Sequence, residues 1–178
     1  MKKTRFIVQA AIIAAMYATL TILQNVLFPG SATMSVQFRV SEALCILALY
    51  TPAAIPGLTV GCVIANLSSI PHLGPVDLIF GSLASLCAAL LMYALRNVRL
   101  FSLPILACLM PAICNGVIVG FEIEFFFVKL GFADFFIQGG FVALGELVVL
   151  MVLGLPLTKV IEKSGMDKKL LSLNAQAA

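Results

Sequence analysis

Charged residues are scarce in this sequence. Asp, Glu, Lys and Arg make up 11% of its 178 residues, whereas hydrophobic residues make up 62% and the mean hydropathy is +1.13. An ordinary soluble domain has about a quarter of its residues charged. The composition therefore excludes a soluble domain and predicts an integral membrane protein, with residues 1–178 forming a single helical domain.

Residues that commonly bind metals are also few. The chain has one histidine, and no two of its five cysteines are spaced as C-x-x-C, so we expect no metal site of the usual kind. All the cysteines lie in apolar stretches and are interpreted as small packing residues: Cys45, Cys62, Cys87, Cys108 and Cys114.

Several catalytic motifs are missing. There is no G-x-x-x-x-G-K-[ST], which excludes a nucleotide-driven motor, and neither H-E-x-x-H nor G-x-S-x-G, which are typical of metalloproteases and esterases. We see no inverted repeat with broken helices, as secondary transporters have. We therefore predict that the protein is not an enzyme, needs no cofactor and has no energy source of its own.

Long apolar runs dominate what is present. Proline, glycine and charged residues divide them into six segments, at about Phe6–Phe28, Ser41–Tyr50, Pro56–Ile70, Val76–Leu95, Phe101–Phe126 and Phe135–Val160. The first exceeds the about 7–15 apolar residues of a signal peptide and is interpreted as a retained helix. The second and third are short, so they either tilt or form a hairpin that does not cross fully; the charge pattern favours two full crossings.

The basic residues orient the chain. If the N-terminus lies in the cytoplasm, only Arg39 and Lys129 of the 11 Lys and Arg residues lie outside. The remaining basic residues lie inside: Lys2, Lys3, Arg5, Arg96, Arg99, Lys159, Lys163, Lys168 and Lys169. This positive-inside pattern predicts an all-α bundle of six transmembrane helices with both termini in the cytoplasm.

Two polar residues lie deep in apolar runs. Counted from the turn that joins the last two segments, Asn115 and Glu146 both lie roughly 16–18 Å along their helices. An unpaired carboxylate there would cost about 2.5 kcal/mol or more, so we expect Glu146 to face the bundle interior and to serve function. The alternatives are a protonated, hydrogen-bonded acid for Glu146 and an amide that only ties helices together for Asn115.

Two further patterns allow two interpretations each. Arg39 and Glu42, three residues apart, either belong to a functional site or form a surface ion pair at a helix start. Ala10, Ala14 and Ala18, with Ala11 and Ala15 beside them, make a stripe that permits close helix approach. That stripe either packs within this bundle or contacts a separate subunit.

The runs "QFRVSEALCILALYTPAAIPGLTVGCVIANL" and "GPVDLIFGSLASLCAALLMYALR" closely resemble the queuosine-precursor transporter (QueT) family, over essentially the whole chain. The resemblance implies a substrate-binding S component of an energy-coupling factor (ECF) importer in the bacterial cytoplasmic membrane. Its partners would be a transmembrane coupling subunit and two ATPase subunits. The alanine stripe Ala10, Ala14 and Ala18 would then contact the coupling subunit.

The implied substrate is a 7-deazaguanine: the aminomethyl or cyano precursor of queuosine, or queuine. A carboxylate can accept from the guanine edge, and Glu146 or Glu42 could supply it. Asn115 or Asn66 could donate to the carbonyl, and Asp77 is the first choice for a cationic aminomethyl arm. The full candidate site is Glu146, Asn115, Glu42, Arg39, Asn66, Asp77 and Gln138, with Arg39 and Glu42 where a loop would close over the pocket.

Other functions are compatible with parts of the pattern. An S component could bind another vitamin-like heterocycle. A membrane enzyme could use Glu146 as a general acid or base, but it lacks a second catalytic group at a convincing spacing. A purely structural assembly subunit would account for the alanine stripe and would leave Glu146 without a purpose.

Overall fold

The apolar runs of the sequence fold into helices. The structure is a computed structural model, and it describes residues 2–29, 38–68, 70, 74–101 and 103–167. The helices in these ranges are α1 (Lys2–Leu27), a 3-10 helix (Val40–Leu49), α2 (Ala54–Leu67), α3 (Val76–Ala94), α4 (Ile105–Val128) and α5 (Phe132–Ser164). The end of α4 (Ile123–Val128) and a short stretch of α5 (Leu150–Gly154) are wound as π-helix.

Each predicted segment coincides with one helix, so the all-α prediction is confirmed. Four helices, α1, α3, α4 and α5, are long and apolar enough to cross a membrane. The 3-10 helix and α2 are shorter, at 10 and 14 residues. The predicted start of the fifth segment, Phe101, is wrong: α4 begins at Ile105, after Pro104. Proline disfavours the helical conformation in the residue that precedes it, so Leu103, before Pro104, does not belong to α4.

The 3-10 helix runs through the middle of the bundle. Its residues from Ser41 to Leu49 are all buried, and it packs against α1, α2, α3 and α5. A 3-10 helix rises about 2.0 Å per residue, so this segment extends about 20 Å although it is short. A largely apolar helix lies either in a protein core or against lipid, and the burial of this segment places it in the core. Its length therefore need not match the thickness of a lipid bilayer.

Small residues let α1 and α2 touch along their backbones. A Cβ atom on Gly61 would lie 2.9 Å from the carbonyl oxygen of Ala14, and one on Gly57 would lie 2.8 Å from that of Ala10. Ala14 and Ala18 are buried, each with 6% of its surface exposed. The stripe Ala10, Ala14 and Ala18 therefore packs against this bundle's own α2. This arrangement favours the alternative in which the stripe is internal, over contact with a separate subunit.

Contacts at one end of the bundle bring four parts of the chain together. Arg99, after α3, forms a 2.8 Å ion pair with Glu162 near the end of α5. Tyr50, after the 3-10 helix, donates a 3.2 Å hydrogen bond to Glu162, and Thr51 donates to Gln9 of α1 at 3.1 Å. The start of α1 and the end of α5 thus lie at the same end.

The described basic residues follow this arrangement. Arg5 and Arg96 belong to the end that holds the Arg99–Glu162 ion pair, as do Lys159 and Lys163. Lys129, between α4 and α5, lies at the opposite end. Lys168 and Lys169 lie outside the described residues. Basic residues from the start of α1, the end of α3 and the end of α5 thus share one end of the bundle.

Candidate functional site

A buried arginine stands at the start of the 3-10 helix. Arg39 has 5% of its surface exposed and Glu42 has 1%, so the interpretation of the two as a surface ion pair is wrong. Arg39 Nη1 lies 3.8 Å from the Sγ atom of Cys62. Its guanidinium also interacts electrostatically with Tyr17, Asp77 and Glu42. Arg39 is therefore the cation of an internal polar cluster.

Both carboxylate oxygens of Glu42 are engaged by the protein. The hydroxyl of Tyr17, on α1, donates a short hydrogen bond to Oε1. The thiol of Cys45, one turn further along the 3-10 helix, donates to Oε2 over 2.9 Å. Beside this pair, Thr21 and Ser41 join their hydroxyls at 2.6 Å. These contacts fix Glu42 and tie the 3-10 helix to α1.

Asn66 and Asp77 form the link between α2 and α3. Asn66 Nδ2 donates to the backbone carbonyl of Asp77 at 3.0 Å and to Cys62 Sγ at 3.5 Å. A Cβ atom on Gly81 would lie 2.6 Å from Asn66 Nδ2, so the glycine leaves the space that the carboxamide fills. Asn66 Oδ1 and Asp77 Oδ2 have no hydrogen-bond partner among the described residues.

Glu146 is buried within the bundle, as the sequence predicts. It has 1% of its surface exposed, and it interacts electrostatically with Glu42 and with Arg39. Its Oε2 atom has no hydrogen-bond partner in the part of the chain that the structure describes. An acid that only tied two helices together would have such a partner. Glu146 Oε2 is therefore a buried acceptor that the described residues leave unused.

Asn115 and Gln138 are less closely connected to this cluster. Asn115 is buried on α4, and its Nδ2 atom is without a partner among the described residues. Gln138 is half-buried near the start of α5 and donates to Asp134 Oδ2 at 3.1 Å. No described hydrogen bond joins Gln138 to Arg39 or its neighbours. Of the predicted residues, Gln138 is the one that belongs instead to the turn beside α4.

Sequence reasoning missed four residues that the fold adds to the cluster. Cys45 and Cys62 are hydrogen-bonding groups here rather than the plain packing residues expected. Tyr17 carried an available signal, because a phenol buried in an apolar bundle usually finds a partner for its hydroxyl. Glu122 is buried on α4 and interacts electrostatically with Asp77 and Arg39, and it was not among the site residues predicted from the sequence.

The cluster is rich in acceptors and poor in cations. Four buried acids, Glu42, Asp77, Glu122 and Glu146, stand near one guanidinium, that of Arg39. Three of the acids keep an oxygen without a partner among the described residues, and Asn66 adds an amide oxygen. A molecule that presents several N–H donors fits such a surface, since each bond removes the cost of an unpaired buried acceptor. Within the described ranges no group of acids, histidines or cysteines is arranged to hold a metal ion.

Aromatic side chains lie near the acids at the end of α4. Phe121, next to Glu122 in sequence, stacks on Phe125 with the ring centroids 4.1 Å apart. Phe80, three residues after Asp77, lies 5.9 Å from Phe121 and 5.5 Å from Phe126. Phe121, Phe125 and Phe126 are 37%, 57% and 46% exposed, so these rings lie on the outside of the bundle and not in the buried cluster.

Comparison with known proteins agrees with these features. The family model described as QueT transporter matches residues 7–163. A curated relative, "Queuosine precursor transporter QueT" of Lactococcus lactis subsp. cremoris (strain MG1363), is 40% identical over 87 residues. That match covers 47% of this chain and 47% of the relative, so the chain spans about half the length of the curated relative it matches. No solved structure is a significant match.

The extent of the family match decides where the chain belongs. It begins in α1, ends in the last turn of α5 and includes every residue of the polar cluster. Its agreement with the apolar helices makes this a multi-pass membrane protein. The chain belongs to the QueT transporter family.

Proposed function

We propose that the protein is the substrate-binding subunit of an ATP-driven importer and that it captures a queuosine precursor. The observation that carries this proposal is a set of buried oxygens that have no hydrogen-bond partner among the described residues: Glu146 Oε2, Asp77 Oδ2, Glu122 Oε2 and Asn66 Oδ1. Polar groups are rarely left unpaired inside a membrane protein unless a solute uses them. The name of the Lactococcus lactis relative supports the choice of solute.

The substrate class is a 7-deazaguanine, in the aminomethyl or cyano form or as queuine. The guanine edge carries N1–H and an exocyclic amine, and a carboxylate accepts both in a bidentate pair. Glu146 is the better choice for this role, because both oxygens of Glu42 are already engaged by Tyr17 and Cys45. Asn115 is the better donor to the ligand carbonyl, since Asn66 Nδ2 is already used within the protein.

The two groups of residues then have different tasks. Glu146 and Asn115 contact the ligand. Glu42 fixes the position of the 3-10 helix, and Arg39 supplies the positive charge that offsets the buried acids of the cluster. Gln138, near the start of α5, would contact the ligand only if this part of α5 moves towards the cluster. The chemistry is that of binding, and the protein carries out no reaction on its substrate.

We further propose six membrane crossings with both termini in the cytoplasm of a bacterial cell. The concentration of basic residues at the end that holds Arg99 and Glu162 supports this orientation. Arg39, Asn66 and Asp77 then lie towards the outer side, where a solute arrives. The central position of the 3-10 helix supports a full crossing by the short second segment.

Energy for uptake would come from other subunits. The sequence has no phosphate-binding loop, so accumulation against a gradient requires a coupling subunit and two ATPase subunits of the ECF type. In liposomes with internal ATP, we expect concentrative uptake of a deazaguanine only when that complex is reconstituted together with this protein. Concentrative uptake by the protein alone would contradict this role.

The surface for the coupling subunit is the exposed face of α1. Ala14 is buried against α2, but Ala11 and Ala15 are exposed at the same four-residue spacing. Small residues on an open face allow the backbone of another membrane helix to approach closely. We therefore assign the coupling contact to Ala11 and Ala15 rather than to Ala10, Ala14 and Ala18.

One pair of variants separates the two stripes. Ala15→Leu should leave ligand affinity and thermal stability of the isolated protein within about twofold and 2 °C of wild type while ATP-driven uptake falls about tenfold or more. Ala14→Leu should destabilise the isolated protein by about 1–3 kcal/mol, because the backbone of α2 leaves no room. Co-purification with the coupling subunit and a thermal melt measure both effects. If instead Ala14→Leu abolishes uptake without destabilising the isolated protein, and Ala15→Leu leaves uptake unchanged, the coupling subunit contacts the buried stripe Ala10, Ala14 and Ala18.

A further inference from the structure

Asp77 and Glu122 form a pair of buried acids between α3 and α4. They have 4% and 2% of their surface exposed, and the two helices meet beside them, where Phe80 and Phe121 lie 5.9 Å apart between ring centroids. The two carboxyl groups also interact electrostatically. Each keeps one oxygen without a hydrogen-bond partner among the described residues. Two like charges buried together are unfavourable unless a cation or a proton lies between them.

An independent acceptor stands beside the pair. Asn66 has 1% of its surface exposed, and its Oδ1 atom has no partner in the described part of the chain. The carboxamide cannot simply turn over, because Nδ2 donates to the Asp77 carbonyl at 3.0 Å and fits against Gly81. Its oxygen therefore remains an acceptor. Two carboxylates and one amide oxygen can accept the three N–H bonds of an ammonium group.

The nearby guanidinium does not neutralise this pair by itself. Arg39 interacts with Asp77 and Glu122, but also with Glu42 and Glu146. One guanidinium shared among four acids leaves the Asp77–Glu122 pair without a counter-ion of its own among the described residues. A neutral ligand could satisfy the hydrogen bonds there but not the charge.

We propose that Asp77, Glu122 and Asn66 Oδ1 form an ammonium subsite, separate from the carboxylate of Glu146, which takes a protonated amine on the ligand. The inference rests on the proposed function and narrows it: the preferred deazaguanine carries an amine at its 7-position. Glu122 is a specificity-determining residue in this account. The cyano form, which has no cation, binds the Glu146 part of the site alone.

The test measures affinity for two ligands that differ in this charge. Titrate purified wild-type protein and Glu122→Gln with 7-aminomethyl-7-deazaguanine and with 7-cyano-7-deazaguanine. Wild type should bind the aminomethyl form at least about tenfold more tightly than the cyano form. Glu122→Gln should lose about thirtyfold in affinity for the aminomethyl form and less than about threefold for the cyano form, since only the buried charge pair is removed.

A matched control distinguishes direct contact from a general loss of negative charge. Glu124→Gln makes the same change two residues further along the same helix, where Glu124 Oε1 accepts a hydrogen bond from the backbone N–H of Gly131. It should leave the preference between the two ligands unchanged. If Glu122→Gln does not fold, Asp77→Asn provides the same comparison.

The outcomes separate this inference from the function on which it rests. If both ligands bind wild type equally, or if Glu122→Gln weakens them equally, the ammonium subsite is wrong and the proposed function stands. An equal effect of Glu124→Gln on the ligand preference would also overturn the subsite. If neither deazaguanine binds wild type, the proposed function itself fails.

Discussion

Glu146→Gln is expected to lower the affinity for a 7-deazaguanine at least about thirtyfold, which corresponds to about 2 kcal/mol. The substitution keeps the size and shape of the side chain and turns one acceptor oxygen into a donor. That donor would face the N–H groups of the guanine edge, so one hydrogen bond is lost and two donors are forced together. Isothermal titration of the purified variant measures the change.

The fold should survive this substitution. Glu146 Oε2 has no partner among the described residues, so removing its acceptor capacity breaks no described hydrogen bond. Glu162→Gln, on the same helix but in the surface ion pair with Arg99, is the control and should change affinity less than about twofold. Unchanged affinity in Glu146→Gln, with a normal thermal melt, would reduce Glu146 to a structural role.

Arg39→Met should be the most destabilising single substitution in the site, by about 3–5 kcal/mol. Methionine fills a similar volume, so the loss comes from charge rather than from a cavity. Without the guanidinium, Glu42 and Asp77 remain buried with no counter-ion near them. A thermal or denaturant unfolding series in detergent measures the change in the free energy of unfolding.

Two comparisons make this prediction specific. Arg96 stacks on the ring of Tyr93 at 4.0 Å outside the cluster, so Arg96→Met should cost about 1 kcal/mol or less. In an Asp77→Asn background the cost of Arg39→Met should be smaller, because one of the stranded charges is already gone. Equal costs for Arg39→Met and Arg96→Met would show that Arg39 does not balance the buried acids.

The sequence was informative where apolar runs are interrupted. Proline, glycine and charge fixed the six helices to within a few residues, because a helix in an apolar surrounding ends where the chain must turn. The burial of Glu146 followed from the cost of a lipid-exposed carboxylate. The 3-10 winding of Val40–Leu49 left no comparable signal, since nothing in this largely apolar segment distinguishes a 3-10 helix from an α-helix.

The errors share a physical cause. A mostly apolar helix such as α1 has few polar residues to mark the side that meets its neighbours, and the buried Tyr17 and Thr21 of α1 were not used as such marks. Ala10 and Ala11 begin equivalent stripes along α1, and only the packing of Gly57 and Gly61 distinguishes the buried one. Glu122 was missed for the same reason. Its sequence position near a turn indicates how far along α4 it lies but not whether it is on the buried side of that helix. Such orientations depend on contacts between distant parts of the chain.

The central claim is that this bundle binds a 7-deazaguanine without help from other subunits. The most direct test is the unfolding stability of the purified protein, with and without 7-aminomethyl-7-deazaguanine, adenine serving as the unrelated heterocycle. At about a thousandfold excess over the dissociation constant, the ligand should stabilise the protein by about 4 kcal/mol, and adenine should have no effect. An unchanged unfolding curve with the aminomethyl, cyano and queuine forms alike would contradict the account.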